Sequence, residues 1–78
     1  MSNWNTLDRT HYLFCYEHLP EWSESEWLVW STVEYDIADV VQQHRNIRES
    51  ERHRSFRLYE YVPEHGYREV PIPEVSGD

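Results

Sequence analysis

The stretch EWSESEWLVWSTVEYDIAD, Glu21 to Asp39, decides the fold, because its apolar residues suit a helix or a strand and its neighbours must pack accordingly. It holds Trp22, Trp27 and Trp30, six carboxylates (Glu21, Glu24, Glu26, Glu34, Asp36 and Asp39) and no Lys or Arg. Ser23-Glu24-Ser25-Glu26 has the form of a capping box, with Ser23 as N-cap and Glu26 reaching back. Acids in a first turn suit the helix dipole. At about 100° per residue, Val29, Trp30, Val33, Ile37, Val40 and Val41 fall in one sector roughly 120° wide. That stripe predicts a helix from about Glu24 to Arg45, with Asn46 as a stop and NIRESERHR as an optional extension. Ser31 to Glu34 is a second capping box, so two helices with a break are an alternative. A strand through WLVW is the competing reading, since short apolar runs carry little periodicity.

The flanks read more simply. THYLFCYEHLP, Thr10 to Pro20, is aromatic and ends at proline, which predicts a strand of roughly seven residues. Tyr12, Phe14 and Tyr16 share one face of it, Leu13 and Cys15 the other. SFRLYEYV alternates Phe56, Leu58, Glu60 and Val62 against Arg57, Tyr59 and Tyr61. PEHG at 63–66 supplies a turn, and YREVPI returns as the second strand of a hairpin. The expected fold is α+β: a three-stranded antiparallel sheet with one long helix on a face, in the order strand, helix, strand, strand. With 78 residues the chain is expected to be one domain, with residues 1–9 as an N-terminal arm and 73–78 as a flexible tail. Helix should make up about a third of the chain.

Composition narrows function. An aromatic content of 15% argues against a disordered chain, so a few large side chains must form most of the core. Charge is uneven around a net of −8. Residues 1–44 sum to −7, residues 45–58 to +3 through Arg45, Arg48, Arg52, Arg54 and Arg57, and residues 59–78 to −4. Phosphates repel this field, so nucleic acid is not expected as a direct partner, whereas a basic protein surface is. Solubility alone is the bland explanation of the charge. No apolar run reaches the length of a membrane span, and the start MSNWNTLDRT has no secretory pattern. Cys15 stands alone, which suits a reducing cytoplasm.

Catalytic patterns are weak. His11, Cys15 and His18 have the spacing H-x3-C-x2-H, but on a strand His18 points away from the other two, so no metal site is expected. Cys15 as a nucleophile needs a base such as His44 or His65, and no family signature surrounds it. Glu24 and Glu26 lie on different helix faces and make a poor acid–base pair. No cofactor motif is present. A non-enzyme is expected, without cofactor or metal.

On the helical wheel Trp30 points into the core, while Trp27, Leu28 and Tyr35 lie outside the stripe among Glu24, Asp39 and Gln42. Either the hairpin or the N-terminal arm covers them, or they form an aromatic patch ringed by acids, as protein-binding surfaces do. The candidate partner-binding residues are Glu21, Glu24, Trp27, Leu28, Tyr35, Asp36 and Asp39. A short, acidic, Trp- and Tyr-rich chain of this kind, with LPEWSESEWLVWSTVEYDIADVV at its centre and MSNWNTLDRT at its start, resembles the small proteins with which phages and mobile elements disarm bacterial defence. More closely, it is similar to small anti-CRISPR proteins of the type I-C group. The resemblance lies in the whole chain, so no family site residue carries over. It implies stoichiometric binding to a CRISPR effector subunit in the bacterial cytoplasm, at a surface that would hold DNA. The carboxylates would imitate part of the phosphate array, or the bound protein would block the surface sterically. The basic segment 45–58 departs from a uniformly DNA-like surface. The alternative is a small interaction module, of housekeeping or toxin–antitoxin type, without mimicry. A monomer or weak dimer is expected.

Overall fold

The structure is a computed structural model in which residues 9–74 are described. Among them the elements are β1 (His11–His18), β2 (Leu28–Glu34), α1 (Ile37–Ile47), β3 (His53–Val62) and β4 (Gly66–Val70). The fold is α+β, as the sequence predicts, but the sheet has four antiparallel strands in the order β2-β1-β3-β4. The element order is strand, strand, helix, strand, strand.

The long helix of the sequence reading is replaced by β2, a two-residue connection and a shorter helix. The competing strand through WLVW is the one that forms. Val29, Thr32 and Val33 are β-branched and Trp30 is aromatic, which fits a pleated surface better than a helix interior. The deciding contribution is tertiary: β1 needs a partner on each side, and β2 pairs with it from Tyr12 opposite Glu34 to His18 opposite Leu28. The first capping box forms only in half. Ser23 Oγ accepts the Glu26 and Ser25 amides at 2.9 and 3.2 Å, but the Ser23 amide donates to the Pro20 carbonyl and no helix follows. The second box, Ser31 to Glu34, lies within β2. The helix starts instead at Asp36, whose carboxylate accepts the Ala38 amide at 3.0 Å.

The core stripe therefore splits. Val40 is fully buried with Phe14 and Leu58, and Ile37 packs beside them. Val29, Trp30 and Val33 are exposed, so Trp30 is no core residue. Tyr12, Phe14 and Tyr16 do share the helix-facing side of β1, together with Phe56 and Leu58 of β3 and Val70 of β4. The hairpin β3–β4 turns at 63–65, with Glu64 and Gly66 at positive φ (76° and 81°). At 66 a glycine takes that backbone without steric cost.

One irregularity rearranges the surface. The β1–β3 register slips by one residue between Cys15 and Glu17, with Ser55 at φ 61°. A one-residue slip exchanges the faces of every residue beyond it. Arg54 thereby moves to the open side opposite Glu17, and His53 to the helix side opposite His18.

The 11-residue helix spans about 16 Å at ~1.5 Å per residue, and the 10-residue β3 about 33 Å at ~3.3 Å per residue. One helix cannot cover the sheet, so part of its own face and all of the other face lie outside it. Pro73 and Glu74 are exposed and outside any element; the rest of the expected tail, and residues 1–8 of the expected arm, lie outside the described residues.

Candidate functional site

The seven expected contact residues do not share a helix face, because of them only Asp39 lies within a helix. Glu21 and Glu24 are exposed in the β1–β2 connection. Trp27 follows them, half-buried beneath the Arg54 guanidinium at 3.9 Å from the ring centroid. Leu28 is exposed at the start of β2. Tyr35, Asp36 and Asp39 lie beyond the far end of β2. Seven residues of strand, roughly 20 Å, separate the two groups. Asp36 and Asp39 have a local structural role as cap and first-turn acid of α1. Arg9 stacks over the Tyr35 ring at 4.3 Å, and His11 meets that ring edge-on.

The connection 19–27 is held by a residue that charge alone would assign to a basic patch. Arg52 donates from Nε to the Leu19 carbonyl at 3.0 Å, and from Nη2 to the carbonyls of Pro20 (2.6 Å) and Ser23 (2.9 Å). The Leu19 amide returns a bond to the Arg52 carbonyl at 2.8 Å. A planar fork satisfies three carbonyls at once and fixes the loop's entry. From this anchor the loop presents Glu21, Trp22, Glu24 and Glu26 to solvent, with Trp22 71% exposed. Among the described residues no cation pairs with these three carboxylates.

Two of the other four arginines of the segment 45–58 are engaged too. Arg54 bonds Glu17 at 2.7 Å and Arg57 approaches Glu69 at 3.3 Å. Arg45 and Arg48 at the end of α1 have no carboxylate partner among the described residues. The charge of Arg54 and Arg57 is locally offset by Glu17 and Glu69.

Between the two acidic groups runs β2, in which Val29, Trp30 and Val33 belong to the core stripe that the helical spacing predicts. Val29 is 74% and Trp30 52% exposed; Val33 is exposed as well. Among the described residues β2 pairs with β1 alone. The signal in the sequence was composition, a short run rich in β-branched and aromatic residues (Val29, Trp30, Thr32 and Val33), because apolar side chains fall on both faces of the strand and give no alternation. Trp30 borders an open concavity of about 300 Å³ shared with Tyr16, His18 and His53. The His18 and Trp30 rings meet edge-on at 5.9 Å, and His18 stacks on His53 at 6.2 Å. Burial, and after it the neighbouring His18, pushes the His53 pKa below its ordinary value.

The remaining titratable groups have structural surroundings. His11, 1% exposed, donates from Nδ1 to the Arg9 carbonyl at 2.8 Å, since a carbonyl only accepts. Its Nε2 pairs with the Tyr67 hydroxyl at 2.8 Å, and its ring stacks on Tyr61 at 4.8 Å. Cys15 faces the open side between Ser31 and Arg57 in register, while His44 packs against Phe14 and Phe56 on the other side. Burial pushes the Cys15 thiol up, away from the nucleophilic thiolate. Among the described residues no three His, Cys, Asp or Glu side chains converge as metal ligands, and no helix is long and apolar enough to cross a membrane.

No family model, curated protein or solved structure matches this chain.

Proposed function

We propose that this protein is a non-catalytic inhibitor that binds a basic protein surface, and that its target is a nucleic-acid-binding subunit of a bacterial defence effector of the CRISPR type. The observation that carries the reading is the Arg52-anchored loop. Arg52 ties the loop at three carbonyls, and the loop presents exposed Glu21, Glu24 and Glu26 on the same connection as exposed Trp22. Preorganisation lowers the entropy lost on binding. Carboxylates that have no cation partner among the described residues steer a basic surface toward the loop, and the exposed Trp22 indole supplies the apolar anchor that charge lacks.

Steric occlusion fits the geometry better than imitation of a phosphate array. The carboxylates stand in two groups at the ends of β2 rather than along one helix. The interaction-module reading without DNA mimicry gains from the same separation.

The test is binding to a purified type I-C surveillance complex, with target duplex as competitor. One-to-one binding that excludes the duplex supports the proposal. Changing Glu21, Glu24 and Glu26 together to Gln should slow association by about tenfold at low salt and flatten its salt dependence. Trp22→Ala should instead speed dissociation. A folded protein that leaves the complex and its DNA binding untouched overturns the target. Unchanged binding by both variants overturns the loop.

A further inference from the structure

The two edges of the sheet differ. Edge strand β4 is five residues long, carries Arg68 and Glu69 on its surface, and is followed by Pro71 and Pro73. Those are the devices by which proteins prevent unwanted strand pairing. Edge strand β2, LVWSTVE, is seven residues long, has no charge before Glu34 and no proline, and exposes Leu28, Val29, Trp30 and Val33. Among the described residues this long, apolar edge has no second strand partner, and such an edge invites another strand.

Charge decides which strand. Glu24 and Glu26 stand exposed before β2, Asp36 and Asp39 after it. A second copy paired antiparallel about Ser31 sets Glu26 of one chain beside Asp36 of the other, and like charges directly opposite are destabilising. Self-pairing is thus opposed at both ends. A strand with cations at both ends is favoured there.

We propose that β2 is a docking edge for an extended segment of a partner protein with Lys or Arg at each end and apolar residues between, added as a fifth strand. Backbone hydrogen bonds along the open edge supply affinity. A long apolar side chain of the added strand, set beside Trp30, enters the concavity lined by Tyr16, His18, Trp30 and His53. The inference rests on the protein-binding reading above, and it specifies the form in which the partner binds.

The probe is a synthetic peptide with two Lys at each end of a Val-Thr-Phe-Thr-Val centre, titrated into the full chain. The expected result is slowed hydrogen exchange of the Leu28–Val33 amides. Affinity should fall about tenfold or more when the end residues are Glu, when alternate peptide amides are N-methylated, or in the Trp30→Ala variant. Trp30 is half exposed, so that variant should keep its fold; its dispersion in NMR spectra checks this. Three results each overturn the proposal: unchanged exchange at Leu28–Val33, equal binding of the Glu-ended peptide, or protection of the same amides by dimerisation without peptide. If the peptide fails while the surveillance complex still binds, the edge is wrong and the inhibitor stands. If the peptide binds and the complex does not, the edge stands and the target is wrong.

Discussion

At the scale of single residues, Arg52 matters more than its place in a basic run suggests. Its guanidinium serves three backbone carbonyls of the β1–β2 connection and, among the described residues, no carboxylate. Hydrogen bonds to a charged group contribute roughly 1.5–3 kcal/mol, and a carbonyl left unpaired in a partly buried site adds to the cost. Arg52→Ala should therefore lower stability by about 2–4 kcal/mol in chemical denaturation and loosen the loop. Arg52→Lys should recover only part of it, because an ammonium is a point donor without the planar fork. Cys15 provides a second check. Burial raises its pKa, so at neutral pH little thiolate exists. Alkylation by iodoacetamide should be several-fold slower in the native protein than in denaturant at the same pH; equal rates would mean an open, reactive thiol.

At the scale of elements, the start of α1 rests on Asp36. Its carboxylate accepts the Ala38 amide, and Asp39 follows in the first turn. Asp36→Ala should cost about 1 kcal/mol, while Asp36→Asn, an equally good cap, should cost a few tenths of that. The pair thus separates the cap from the charge, which a binding assay alone would confound. Circular dichroism should be dominated by strand, since four strands of 8, 7, 10 and 5 residues stand against one helix of 11. The one-third helix that the periodicity of 24–45 implies does not form. A stripe of Val29, Trp30, Val33, Ile37, Val40 and Val41 has helical spacing by coincidence: Val29, Trp30 and Val33 lie in β2 and divide between its two faces, and only Ile37, Val40 and Val41 are helical.

At the scale of the whole molecule, stability should fall on the acid side of neutrality. Burial holds the pKa of His44 below the ordinary histidine value, Arg48 lowers it further, and Glu74 opposes both. His53 is lowered by burial and then by His18. Between the folded and the ordinary value the unfolded chain binds more protons than the folded one, so stability rises with pH across that window. The contribution is complete above about pH 6.5 and is lost as pH falls below it. Thermal melts from pH 7.5 down to 5 should show a decreasing midpoint, and His44→Gln should flatten the decrease. A flat profile in the parent protein would mean that both rings stay well solvated.

The strand β1, the hairpin β3–β4, the faces of Tyr12, Phe14 and Tyr16, and the α+β class were all legible in the sequence, because alternation and a Pro-Glu-His-Gly turn act over a few neighbours. The acidity of the segment 21–39 was legible too. Its conformation was not. Whether Leu28–Glu34 became helix or strand depended on β1 lacking a second partner, a requirement set by residues ten to twenty-two positions away. For the same reason Trp30 and Val29 came to the surface and the acids parted into two groups. The slip at Ser55 turned Arg54 onto Trp27, and Arg52 spent its charge on carbonyls across the sheet's end. Local periodicity reports what a segment can form; the pairing demands of the rest of the chain decided which form had the lower free energy.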